Sequence, residues 1–136
     1  MLKSCALICA LIAMVLTASS VGSLFPFSVF VMQGLNKLPP EAAIAAMNGI
    51  NATVRNAWFG TAFFGAPAAM ALAALLAWAN GTRIAGWSLG AAAVIYFVCT
   101  LMLTFTIHVP MNEALMLVDP SSADAGSIWP TYYERW

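Results

Sequence analysis

The stretch CALICALIAMVLTASSVGSLFPFSVFVM, residues 5–32, decides the fold class of this chain. It contains no charged residue and is longer than the roughly 20 apolar residues that cross the hydrocarbon core of a bilayer. We therefore expect a spanning helix over about residues 5–32. A secretory signal peptide is the alternative, because Lys3 precedes the run and Thr17-Ala18-Ser19-Ser20 resembles a cleavage site. The apolar core of a signal peptide, however, is usually only about 7–15 residues long.

Two further apolar runs predict two more spanning helices, over about residues 58–79 and 84–107. The first is bracketed by Trp58 and Trp78, and indole rings prefer the membrane–water interface. The segment Asn80-Gly81-Thr82-Arg83 between the runs is typical of a tight turn, so we expect an antiparallel hairpin. Small residues that would allow close helix packing recur at Gly65, Ala69, Ala73 and Ala77, and again at Gly86 and Gly90.

A short helix is predicted over about residues 41–54, between the first and second spans. Pro40 suits the first turn of a helix, and Glu41 complements its positive end. The helix is too short to span and is expected at the membrane interface or folded back over the bundle. We expect an apolar face of Ile44, Met47, Ile50 and Val54, and a polar face of Asn48, Asn51 and Arg55.

The composition excludes several classes of function. Hydrophobic residues make up 62% of the 136 residues, charged residues 7%, and the net charge is zero. A neutral chain lacks the basic surface that nucleic acids require, so we expect no nucleic-acid partner. Cys5, Cys9 and Cys99 lie in apolar runs and His108 is the single histidine, a set that predicts no metal site. With no cofactor motif either, the chain is interpreted as an all-α, multi-pass membrane bundle over residues 1–136, with the lipid bilayer as its surroundings.

Aromatic residues gather near residue 136, after a polar stretch that begins at Asp119-Pro120. They are Trp129, Tyr132, Tyr133 and Trp136. Such a group is typical of a membrane interface. Two interpretations stay open: an aromatic tail that rests on the membrane, or the beginning of a fourth helix.

The best candidate for a chemical site follows the third span. Thr100, Thr104 and His108 are four residues apart, and Asn112 follows just beyond Pro110. Imidazole has a near-neutral pKa, which suits proton abstraction from a phenol or an activated carbon acid, and an amide can stabilise an oxygen that gains charge. We therefore expect His108 and Asn112 to be catalytic and Thr104 to bind substrate. The alternative is a purely structural role for all of them.

The short helix supplies further candidates. Arg55 is expected to polarise the substrate as a third catalytic residue, with Asn48 and Asn51 as substrate-binding amides. Trp58 is expected to form one wall of a pocket for a flat, hydrophobic aromatic ligand. A solvated helix face for the first three, and a place in the aromatic belt for Trp58, are the alternatives.

Several motifs resemble a family of small bacterial integral membrane proteins that includes the anthrone oxygenases. They are Phe27-Ser28-Val29-Phe30-Val31-Met32, Ala45-Ala46-Met47-Asn48-Gly49-Ile50-Asn51, Val54-Arg55-Asn56-Ala57-Trp58-Phe59 and Val109-Pro110-Met111-Asn112-Glu113-Ala114-Leu115. The resemblance implies a four-helix bundle in the bacterial inner membrane. It also implies conversion of anthrones to anthraquinones with no identified metal or flavin. Asn48, Asn51, Arg55 and Asn112 match the family pattern, whereas His108 stands where many relatives carry Asn.

One part of the family pattern does not occur in this sequence. The tryptophan-rich W-x-x-W-N-H-V-R-T segment that opens the family's fourth helix does not follow Trp136, so its Asn, His and Arg are not carried over. Two functions are therefore weighed. The first is a cofactor-independent oxygenase that acts on a membrane-dissolved polycyclic phenol, alone or as a homo-oligomer. The second is an accessory subunit that packs on a larger membrane complex through its small-residue faces.

Overall fold

The structure, a computed structural model, describes residues 2–136, and every regular element in that range is helical. The helices are α1 (Leu2–Leu35), α2 (Pro40–Val54), α3 (Ala57–Ala79), α4 (Arg83–Met116) and α5 (Ala125–Arg135). Helices α1, α3 and α4 are long and apolar enough to cross a membrane. The expected all-α membrane bundle with three spanning helices is thus confirmed.

Helix α4 is longer than the sequence predicted, because it continues through Pro110 to Met116 instead of ending near residue 107. A wide π-helical turn, Thr104–His108, precedes the proline, and its hydrogen bonds reach back five residues, as from the Val109 N–H to the Thr104 carbonyl. Proline removes one backbone donor. A wide turn shifts the bonding pattern next to that gap, so the helix need not end there. A second wide turn, Phe97–Met102, lies further up the same helix.

Helix α1 also contains a proline, Pro26, with a wide turn beside it. The wide turn Phe27–Val31 follows this proline, and the Met32 N–H bonds to the Phe27 carbonyl. The helix runs on to Leu35, three residues beyond the expected end at residue 32.

The chain forms two compact units, and α1 and α4 contribute to both. The first unit contains residues 2–23 and 57–102, which include α3 and most of α4. Gly81, with φ at 76°, closes the turn between these two helices. Trp78 packs so closely on Gly86 that a Cβ there would overlap the indole ring. The Ser20 and Tyr96 hydroxyls, both buried, hydrogen bond at 2.6 Å.

The small-residue faces of this first unit are occupied by the chain itself. The Leu16 side chain would lie 3.0 Å from a Cβ at Gly65, and Trp78 covers both Gly86 and Gly90. Ala73 and Ala77 are buried in the same unit. These faces are internal packing surfaces, because a second protein could reach them only by displacing these side chains.

The second unit contains residues 24–56 and 103–136. Helix α2 packs in it against α5 and the last turns of α4. Its core consists of Met32, Ala43, Ile44, Met47, Leu115, Ala125, Trp129 and Tyr132. The aromatic segment after residue 124 packs into this core. The segment is a helix whose Trp129 and Tyr132 are buried by protein.

Candidate functional site

Helix α2 places two of the predicted amides differently from expectation. Asn51 is 2% exposed and lies on the buried face with Ile44 and Met47. Residues at i, i+3 and i+7 share one face of a helix, so assigning Asn51 to the polar face was wrong. Asn48 is half-buried, and its Nδ2 donates to the Leu115 carbonyl at 3.2 Å. Both amides therefore belong to the interior of the second unit.

Asn112 on α4 accepts a hydrogen bond from a residue that sequence analysis did not select. The Tyr132 hydroxyl on α5 donates to Asn112 Oδ1 at 2.7 Å. Burial raises the pKa of the Tyr132 phenol well above its ordinary value, so the hydroxyl stays protonated and remains a donor. The Asn51 side chain approaches the same phenol and opposes part of this pKa shift, yet its Nδ2 forms no hydrogen bond of acceptable geometry.

His108 lies one turn before Asn112 on α4, and its ring packs at a tilt against Trp136, the residue that follows α5. Its ring centroid is 5.1 Å from that of Trp136, and the Trp136 ring is 5.8 Å from that of Phe27 on α1. Trp136 follows Tyr132 by one helical turn, as Asn112 follows His108. The two helices therefore form two layers, one pairing Asn112 with Tyr132 and one pairing His108 with Trp136. We call Asn48, Asn51, His108, Asn112, Tyr132 and Trp136 the polar cluster.

Four atoms of the polar cluster are buried without a hydrogen-bond partner. They are Asn48 Oδ1, Asn51 Nδ2, His108 Nδ1 and Trp136 Nε1. A buried polar atom without a partner costs about 1–3 kcal/mol. Most buried polar atoms in native proteins are paired, so a concentration of unpaired ones requires an explanation. The set includes both donors and acceptors.

Three predicted residues lie away from the polar cluster or at its edge. The Arg55 Nη2 is 3.3 Å from Glu113 Oε1, and these side chains are 51% and 58% exposed. Trp58 is 89% exposed and belongs to the first unit. Thr104 is half-buried at the start of the wide turn that ends at His108. The structure thus groups the Asn and His candidates and leaves Arg55 and Trp58 on exposed surfaces.

Sequence analysis missed Tyr132 and Trp136 as site residues. A usable signal was present, since residues 129, 132, 133 and 136 repeat at helical spacing. Within residues 2–136, no group of three His, Cys, Asp or Glu side chains is arranged to hold a metal ion. The side chains of the polar cluster are three amides, an imidazole, a phenol and an indole.

Comparison with known proteins identifies a matching family. A family model described as anthrone oxygenase matches residues 55–136, more than half of the chain. The matched segment includes His108, Asn112, Tyr132 and Trp136, whereas Asn48 and Asn51 precede it. No curated protein matches, and no solved structure matches.

Proposed function

Because this chain belongs to the anthrone oxygenase family, we propose that it is a membrane oxygenase that oxidises anthrone-like polycyclic phenols without a cofactor. The observation that supports this activity is the polar cluster with its four unpartnered buried atoms. Fold and family membership alone would not assign a reaction, because function depends on the residues of a site.

Oxidation of an anthrone by O₂ requires two contributions from the protein, which are proton transfer and stabilisation of the negative charge that develops. An anthrone carries an acidic CH₂ group opposite its ketone, and loss of one proton gives a delocalised phenolate-type anion. That anion donates electrons to O₂ and forms a carbon–oxygen bond. Loss of water then leaves a second ketone, so anthrone and O₂ yield anthraquinone and H₂O. Dioxygen is the only oxidant in this balance.

The polar cluster supplies groups for both tasks. His108 Nδ1, buried and unpartnered, is the proposed base. The amides of Asn112 and Asn51 are the proposed donors to the ketone oxygen, which gains charge as the proton leaves. Asn48 Oδ1 is left to accept from a hydroxyl on the substrate. Fixed donors in a site shielded from water stabilise such a charge without reorganising at the moment of reaction.

The surroundings suit a ligand that dissolves in lipid. The spanning helices expose large apolar side chains such as Phe30, Val98 and Phe105, which is appropriate for contact with acyl chains. A planar polycyclic phenol partitions into the same phase. We therefore propose delivery of the substrate from the membrane, which we take to be the bacterial cytoplasmic membrane.

The decisive experiment measures anthrone oxidation by the full chain in lipid nanodiscs. Oxygen uptake and anthraquinone absorbance are followed together, and the spontaneous rate in empty nanodiscs is subtracted. Asn112→Ala should lower kcat by roughly 100-fold, the usual effect of removing one donor to a developing oxyanion. Asn80→Ala is the matched control, since Asn80 lies in the first unit and bonds only to its own helix, at the Leu76 carbonyl.

The same assay decides the role of Arg55. If its guanidinium polarises the substrate, Arg55→Ala will lose turnover while Glu113→Ala retains it. Equal, small effects of both variants would mean that Arg55 only forms a surface ion pair with Glu113.

An unmodified protein that turns over anthrone no faster than empty nanodiscs would refute the oxygenase proposal. Native mass spectrometry that finds it in fixed stoichiometry with a larger complex would then favour the accessory-subunit alternative.

A further inference from the structure

Tyr132 is the point at which three helices of the second unit meet. Its side chain is 6% exposed, and its hydroxyl donates to Asn112 on α4 at 2.7 Å. Asn51 on α2 approaches the same phenol. One hydroxyl on α5 is therefore placed between two amides that belong to different helices.

The direction of this hydrogen bond decides what Asn112 can do. A carboxamide has one oxygen acceptor and one NH₂ donor. The Tyr132 hydroxyl occupies the oxygen, so the NH₂ group is the end left to bind another molecule. Without the phenol, the amide could rotate about its terminal torsion and present either end, because that torsion is broad and roughly two-fold.

We infer that Tyr132 is a positioning residue that fixes the Asn112 amide with its NH₂ group as the oxyanion donor. The inference rests on the proposed function and assigns to α5 a part in it. Tyr132 acts through Asn112 and does not itself exchange a proton with the substrate. The reason is that its hydroxyl hydrogen is already used in the hydrogen bond to Asn112.

The test compares two neighbouring tyrosines on the same helix in the nanodisc assay. Tyr132→Phe should lower kcat by roughly 10- to 100-fold with little change in KM, because misplacement of one donor acts mainly on the transition state. Tyr133→Phe, which removes the same atom one residue away, should leave both constants unchanged. Equal activities of the two variants would overturn the inference.

A double mutant separates positioning from general loss of structure. If Tyr132 acts only through Asn112, the variant with both Tyr132→Phe and Asn112→Ala will be no slower than Asn112→Ala alone. Multiplied losses would contradict the inference, because they would show that Tyr132 contributes independently of Asn112.

A third variant covers the case in which Tyr132→Phe does not fold. Difluorotyrosine at position 132 keeps the shape and the hydroxyl but lowers the phenol pKa. Once ionised, the phenolate can no longer donate to Asn112, so kcat should fall at a lower pH than in the unmodified protein. Ultraviolet absorbance reports the ionisation of the substituted phenol, and a kcat that stays constant across that ionisation would refute the positioning role. If the unmodified protein does not oxidise anthrone, both the proposed function and this inference are refuted. If the unmodified protein is active but Tyr132→Phe and Tyr133→Phe have equal kcat values, only this inference is refuted.

Discussion

At the scale of single residues, Asn51 shows a conflict between stability and function. It is 98% buried at the core of α2, yet its Nδ2 has no partner. Leucine has nearly the same shape and would fill the site without an unsatisfied donor. A residue that costs stability where it stands is best explained by what it binds.

We therefore expect Asn51→Leu to leave the free energy of unfolding unchanged, or to raise it by about 1–2 kcal/mol, while lowering anthrone turnover. Thermal unfolding by circular dichroism in detergent, beside the nanodisc assay, gives both quantities. Met47→Ala is the contrasting variant, because loss of an apolar core side chain should cost about 2–5 kcal/mol. A strong loss of stability in Asn51→Leu would show that the amide is needed for folding.

At the scale of helices, close packing of the α3–α4 hairpin depends on Gly86 more than on Gly90, which lies one helical turn later. A Cβ at Gly86 would overlap the Trp78 ring, whereas a Cβ at Gly90 would lie 3.8 Å from it, an ordinary contact distance. Alanine favours helix over glycine by about 1 kcal/mol at an unhindered position. The two sites therefore differ only in the space beside the indole.

Gly86→Ala should lower the melting temperature of the protein, and Gly90→Ala should leave it equal or raise it. The difference arises because Trp78 must move away from α4 in the first variant and can stay in the second. Circular dichroism in detergent measures both melting temperatures. Equal values would mean that the indole is free to rotate out of the way.

Helix positions were largely predictable from the sequence, and helix faces were less so. The apolar runs at residues 5–32, 58–79 and 84–107 mark the spanning helices because a bilayer accepts little else. Polarity groups Asn51 with Arg55 and so favours the wrong face, whereas its spacing of seven residues from Ile44 indicates the buried face. The end of α4 is predicted too early because the wide turn Thr104–His108 carries this helix past Pro110.

The candidate site was predicted only in part, since two of its six residues, Tyr132 and Trp136, join it through contacts distant in sequence. His108 and Asn112 could be selected because they are polar, close together and next to a span. Tyr132 lies 20 residues from its partner Asn112. No local pattern identifies that pairing, because it depends on how α5 packs against α4.

At the scale of the whole molecule, Trp58 tests how the chain lies in a bilayer. Its side chain is 89% exposed, and it stands at the beginning of α3. A fully exposed indole at the end of a spanning helix is appropriate for the membrane interface. The predicted role as a pocket wall requires instead that a ligand cover it.

Brominated phospholipids should quench the fluorescence of Trp58. The quenched fraction of the total tryptophan fluorescence should therefore be smaller in Trp58→Phe than in the unmodified protein. The reason is that bromine quenches indoles within the bilayer, and Trp129, buried by protein, should be protected. If quenching by these lipids is the same with and without Trp58, the interface position is wrong. A change in fluorescence on adding anthrone that Trp58→Phe abolishes would instead support the pocket wall.

The wide turn Phe27–Val31 has a consequence for how this protein can change over evolutionary time. Phe27 and Met32 are five residues apart, yet both pack into the core of the second unit. In a regular helix, where each residue turns by about 100°, such a pair would point in clearly different directions. The turn thus absorbs one extra amino acid. Losing a codon here would restore an ordinary helical turn with the same two side chains facing inward, whereas losing one within α2 would swing every later side chain away from its partners. Relatives that differ in length by a single residue should therefore carry the gap at this turn.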